Sequence, residues 1–269
     1  MLTLRRYIDR LNAPPRTLAV LERGPEEPTH RMLAGLFDEQ AVEVEVATTD
    51  LPDAGGDAVA LIEDGDLVAS SPMADLEEAI LFVNSDLYTT GTRKLADADL
   101  PEVLTRLSDA RFSLRGYPLA HKEKLLLIAV SRQIELRAYR AGSGTLRSSF
   151  QRLSRIEDEQ GTRRVYEALG STDVDVHVYG EPDANPAASM PVTVHEGYGD
   201  GYSDSWFVVF RPDGASGADA AGATDADAER DDGGAALVAL ETSPRVWEGF
   251  WTYRPDLVAD IDRTIRESL

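Results

Sequence analysis

The 269-residue chain contains no cysteine. That absence excludes disulfides, thiolate metal sites, iron–sulfur ligation, a cysteine nucleophile and a thioether-linked chromophore. Histidine is nearly as scarce: His30, His121, His177 and His195 are scattered along the chain and leave little for a metal site. Lysine is limited to Lys94, Lys122 and Lys124, all in polar surroundings, which removes the apolar pocket a retinal Schiff base needs. No covalent cofactor is therefore expected. No apolar run approaches the ~20 residues that span a bilayer. The opening MLTLRRYIDRLNAPP carries basic residues within its apolar stripe and has no secretory core. The expectation is a soluble, cytoplasmic protein without a membrane partner. Phosphate-cradling, nucleophile-elbow, zincin and dinucleotide fingerprints are also missing, so no catalytic residue is nominated.

What the chain does have is acid. The 48 Asp and Glu against 27 Lys and Arg give a formal charge of −21. At molar ionic strength the Debye length is about 3 Å, so the self-repulsion of such a chain is mostly screened. High acid with little lysine thus suits the salt-rich cytoplasm of a halophile. The charge is uneven, because residues 115–164 hold 11 basic and 5 acidic residues. A +6 stretch within an acidic molecule does not make a nucleic-acid surface at high salt. Residues 213–234, an Ala/Gly/Asp tract without periodicity, read as a solvated acidic loop.

Hydrophobic periodicity divides the remainder into alternating elements. A helix over 2–11 and a strand over 16–21 are separated by Pro14 and Pro15. A helix over 28–38 and the alternating AVEVEVA at 41–47 follow. Strands at 57–62 and 66–70 read as a hairpin across Glu63, Asp64 and Gly65, and Ser71-Pro72 opens a helix over 73–83. After a short helix near 101–108 the order returns: a strong helix over 120–141, a strand at 145–151, a helix near 160–169, an alternating strand at 174–179, strands at 204–210 and 235–241, then VWEGFWTY at 246–253 and a last helix. TLAVLER at 17–23 faces TLRSSFQR at 145–152, and DLEEAI at 75–80 faces DLVADI at 256–261. The predicted fold class is α/β (α+β): two related mixed-sheet units with flanking helices, an internal duplication. The first is an N-terminal domain over 1–112 and the second spans 113–269.

The second unit carries a distinctive vocabulary. KEKLLLIAVSRQIE at 122–135, SSFQRLSR at 148–155, the Arg164/Tyr166 pair, SW at 205–206 and GFWTYRPDLV at 249–258 occur in that order. Together they resemble the DICT sensory domain, named for diguanylate cyclases and two-component systems, in its halophilic archaeal form. The resemblance implies an α+β module built on a four-stranded sheet that senses a signal and passes it to signalling domains. Ser205 stands where the family commonly has an acidic residue before the tryptophan, so ligand identity is not carried over. The chain shows no kinase, cyclase or helix-turn-helix output of its own, which implies a signalling partner in trans.

Within that unit, the arginines Arg132, Arg147, Arg152, Arg155, Arg163 and Arg164 form the one electropositive feature, suited either to local carboxylates such as Glu135, Glu157 and Asp158 or to an anionic ligand. Arg132 lies three residues before Glu135 on its helix and can be oriented by it. Period two places Phe150 and Arg152 on one strand face. The candidate ligand-binding residues are Arg132, Phe150, Arg152, Trp206 and Trp251, for a non-covalent, anionic, partly aromatic small molecule; core packing of the same aromatics is the plainer alternative. His177, between Val176 and Val178, points with Asp175 and Tyr179 and reads as a satisfied surface or second-layer histidine. The function expected is a non-catalytic sensor. The alternative is an enzyme with a dispersed acid–base site.

Overall fold

The computed structural model describes residues 4–11, 16–21, 42–47, 57–82, 100–109, 111–115, 121–158, 160–214 and 233–269. The helix expected over 28–38 and most of the loop expected over 213–234 lie outside them. No helix among the described residues is long and apolar enough to cross a membrane.

The described chain is mixed α/β and builds two sheets. The first, in the order β2-β1-β3-β4, consists of β1 (Arg16–Leu21), β2 (Val42–Ala47), β3 (Ala58–Glu63) and β4 (Asp66–Pro72). β1 runs parallel to β2 and antiparallel to β3, and β4 completes a hairpin with β3. Asp64 and Gly65 adopt φ of 52° and 89°, the left-handed pair that a two-residue turn between twisted strands needs. Before β1 comes α1 (Arg5–Arg10); after β4 come α2 (Met73–Phe82) and α3 (Glu102–Arg106).

The second sheet has seven strands in the order β5-β11-β10-β9-β6-β7-β8. They are β5 (Arg111–Arg115), β6 (Ser143–Arg152), β7 (Asp173–Glu181), β8 (Thr193–Glu196), β9 (Ser205–Arg211), β10 (Ala235–Ser243) and β11 (Val246–Thr252). Its helices are α4 (His121–Ala141), α5 (Arg155–Asp158), α6 (Gln160–Leu169), α7 (Asp200–Ser203) and α8 (Pro255–Ser268). Edge strands β5 and β8 are additions to the elements expected from periodicity, because each is short and lacks a clear alternation.

The two sheets share a connectivity. In each, a strand pairs in parallel with the next strand in sequence (β1 with β2, β6 with β7) and antiparallel, on its other side, with a later one (β3, β9), which pairs with its own successor. An internal duplication predicts that order. Two α/β units also arrive at it independently, so the order does not establish common descent.

A single apolar cluster joins the units. Leu18, Val20, Val59 and Leu61 of the first sheet pack with Met73, Leu76 and Leu104 into the same core as Leu127, Ile134, Leu146, Val176, Val208 and Trp251. Polar ties reinforce it: Ser71 Oγ accepts from the Val103 amide at 3.1 Å, and the Trp251 carbonyl accepts from the Asp109 amide at 2.7 Å. The opposite, outer face of the seven-stranded sheet is covered by Val258, Ile261 and Ile265 of α8 and by Leu4 and Ile8 of α1. Pro255 and Asp256 open α8 and Arg266 lies in its last turn, each suited to the helix dipole.

Candidate functional site

Alternation along each strand sorts the side chains of the seven-stranded sheet onto two faces. On the inner face lies α4. Every residue from Leu127 to Ala138 is buried, so this stretch of the helix has no solvated side, and Tyr139 and Arg140 after it are exposed. Its polar residues Arg132, Gln133, Glu135 and Arg137 are buried with it. Arg132 is held at both ends, one guanidinium nitrogen donating to Glu135 Oε2 and the other to Thr162 Oγ1 at 2.7 Å. The Tyr166 hydroxyl donates to Glu135 Oε1 at 3.1 Å. Burial, with the Glu135 charge beside it, pushes the Tyr166 hydroxyl well above the ordinary tyrosine range, so it remains a donor. Farther along α4, the Arg137 guanidinium lies 4.3 Å from the centroid of the Tyr253 ring. Among the described residues, neither the Tyr253 hydroxyl nor Gln133 Oε1 has a hydrogen-bond partner.

On the outer face, a polar chain runs from the sheet edge to α8. Asp175 accepts from His177 Nε2 at 2.9 Å, and His177 Nδ1 lies 2.8 Å from His195 Nε2. The His195 ring stacks on Tyr179 at 4.4 Å and 8°. The Tyr179 hydroxyl accepts from Arg147 at 2.9 Å, Arg147 donates to Asp262 at 2.7 Å, and Asp262 takes a second bond from Arg211 at 3.0 Å. Burial lowers the His195 pKa, and His177 and Arg147 lower it further. The expected direction of His177, together with Asp175 and Tyr179 and away from the valines, matches this geometry.

The five nominated residues divide. Arg132, Phe150, Trp206 and Trp251 all belong to the inner face: Phe150 meets Tyr166 edge-on at 5.4 Å, Trp251 packs 6.0 Å from Phe112, and half-buried Trp206 rests on the same core. Arg152 does not join them. The parallel register runs Ser149↔Tyr179 and then Arg152↔Glu181, so β6 carries one extra residue against β7. Gln151 absorbs the irregularity with φ 55°. Period two breaks there, and Arg152 comes out exposed, in register with outer-face Glu181. The expectation that Phe150 and Arg152 share a face is thereby corrected. Gln151 Nε2 instead donates to the Ser205 carbonyl at 2.6 Å, which Ser149 Oγ also reaches at 3.0 Å.

Arg147 found a distant carboxylate, Asp262, where local partners were expected, while Arg132 with Glu135 and Arg163 with Glu167 are local pairs. Gln133, Arg137, Thr162, Tyr253, His195 and Asp262 escaped nomination. For Gln133 and Arg137 the available signal was the run SRQIELR, five polar side chains within seven residues of a helix.

Residues 101–220 match the DICT family model, described as Sensory domain in DIguanylate Cyclases and Two-component system. The match likens this part of the chain to a sensory domain and is consistent with a sensory module. It begins at α3 and ends beyond β9, so it includes KEKLLLIAVSRQIE, SSFQRLSR and SW, whereas GFWTYRPDLV lies beyond it. No curated protein and no solved structure matches the chain.

Proposed function

We propose that this protein is a non-catalytic sensor that holds a small, anionic, partly aromatic molecule on the inner face of the seven-stranded sheet and signals to a separate protein. The observation that carries this reading is the enclosed stretch of α4 from Leu127 to Ala138, whose two arginines, glutamate and glutamine are buried, with Glu135 bonded to Tyr166 and Arg137 over the Tyr253 ring. Buried charge is costly and an apolar helix would pack as well. Such a helix fits a role in recognition better than one in stability. Arg132, Phe150, Trp206 and Trp251 are the contacts proposed. Arg152, exposed on the other face, belongs to the surface a partner would meet.

The ligand is held without a covalent bond, since the chain has no cysteine and few lysines. Among the described residues no group of three or more His, Asp or Glu could hold a metal. The acidic surface fits the cytoplasm of a halophilic archaeon and does not favour nucleic acid. Native mass spectrometry of protein purified from its own host is the test. A retained small molecule, lost in Trp206→Ala, is the expected result. Bare protein mass in both preparations, with no ligand-dependent shift, would overturn the ligand.

A further inference from the structure

The outer polar chain is not used by this reading, and it has its own chemistry. Asp175, 65% exposed, accepts from His177 Nε2, while the His177 side chain is only 14% exposed. With Nε2–H donated, a neutral His177 presents a lone pair at Nδ1, and His195 Nε2–H donates into it at 2.8 Å. The ring centroids stand 5.1 Å apart, which places the two nitrogens between the rings as in a direct N–H···N bond. A metal ion needs about 2.0–2.1 Å to each nitrogen and does not fit in line between them. The gap fits one proton.

The two possible protonations differ in consequence. A first proton added to the pair still leaves one N–H and one lone pair facing each other across the 2.8 Å gap, so the contact survives. A second proton leaves two N–H groups facing each other, and the contact breaks. His195 is also the only residue by which the outer face of β8 stacks on Tyr179, and Tyr179 is bonded to the Arg147 that grips Asp262 of α8. The charged and titratable groups around the pair are Asp175 and Tyr179 on β7, Arg147 on β6 and Asp262 on α8, with Tyr202 of α7 acting on Tyr179.

We propose that His177 and His195 form a proton-binding site through which acidification frees edge strand β8 from Tyr179 and loosens the hold of Arg147 on α8. The site names an input, the proton, for the sensory role. It stands on the outer face and does not depend on the inner-face ligand. The sign follows from the depressed His195: between the two values the unfolded chain binds more protons there, so local stability is present above the ordinary histidine pKa and is lost as pH falls from it through the lowered folded value.

The test uses the full chain at high salt. Ring titrations by NMR are combined with amide hydrogen exchange of β8 and α8, corrected for intrinsic rate, from about pH 8 to about pH 5. The pair is expected to titrate in two separated steps, with β8 protection falling roughly tenfold or more at the second. His195→Gln, whose amide donates to His177 Nδ1 without titrating, should keep β8 protection level across the range. Asp175→Asn, at an exposed position, should move the first step to lower pH. Independent single titrations of the two rings would overturn the site, as would a β8 protection profile that is the same in the wild type and in His195→Gln. Retention of the inner-face ligand is read separately and is unchanged by either variant.

Discussion

The two faces of one seven-stranded sheet handle polar groups in opposite ways. The inner face encloses them: Arg132, Glu135, Thr162 and Tyr166 close on one another where α4 is buried on every side, from Leu127 to Ala138. The outer face lets them run to the rim, from buried Asp262 through Arg147 and Tyr179 to exposed Asp175. Enclosure makes a network stiff and costly to break. Access to solvent makes it responsive, since protons and partners reach its end. Under the proposed function the enclosed face recognises a ligand, and under the further inference the open face reports on the surroundings.

The enclosed network should give the largest losses. Glu135→Ala leaves the Arg132 guanidinium buried beside Thr162 without its carboxylate, and a destabilisation of about 3–5 kcal/mol is expected in chemical denaturation. Arg132→Met combined with Glu135→Leu removes both charges and should recover most of that loss. If the double variant is as unstable as the single, the network is needed for more than its own neutralisation. On the outer face, Asp262→Ala strands buried Arg147 but leaves half-exposed Arg211 to water, so about 2–4 kcal/mol is expected. A loss equal to that of Glu135→Ala would erase the distinction between the faces.

Backbone proximity gives the next effect. A Cβ on Gly249 would come within 2.6 Å of Phe112 Cζ and 2.8 Å of Ala239 Cα. Gly249→Ala should therefore cost about 1–3 kcal/mol by overpacking, read as a lower urea midpoint with an unchanged slope. The position also shows why the inner face could not be read in full from sequence. Trp247 and Trp251 share the inner face of β11 with Gly249, and the strand that lays Phe112 beside Gly249 was not expected, because RFSLR is too short to alternate convincingly.

Most elements were legible for a plain reason: β7, β9 and α8 each keep one periodicity to the end. What failed was local. One extra residue at Gln151 reversed the face of Arg152, and no residue type in SSFQRLSR marks a bulge. Burial of α4 on all sides between Leu127 and Ala138 was hidden too, because polar residues at 131–137 suggest a wet face when the neighbouring elements are unknown. His195 was invisible as a partner of His177, since the parallel pairing of β7 with β8 joins residues 18 apart in sequence.

Alkaline titration separates the faces more gently. Burial raises the hydroxyls of both Tyr166 and Tyr253 on the inner face. The unfolded chain loses those protons above about pH 10 while the folded chain keeps them, so stability should fall as pH rises beyond that point. Tyr166→Phe should lose about 1 kcal/mol at neutral pH with its bond to Glu135, and should show a shallower alkaline decline in the urea midpoint.

The smallest effect is expected at Arg152. Its side chain is exposed and beyond the bulge, in register with Glu181 and near enough to Asp183 to help lower that carboxyl. The Ser154 amide and hydroxyl, at 2.9 and 2.8 Å, hold Asp183 more directly. Arg152→Ala should thus change stability by under about 1 kcal/mol, as exposed ion pairs do. With Phe150 on the inner face and Arg152 off it, the variant should also leave ligand retention in native mass spectra intact. Loss of the retained molecule with normal stability would put Arg152 back beside Phe150 in the occupied state and require the Gln151 bulge to move on binding. Intact retention with loss of signalling would instead place Arg152 on the surface that the proposed partner reads, consistent with its exposure on the outer face.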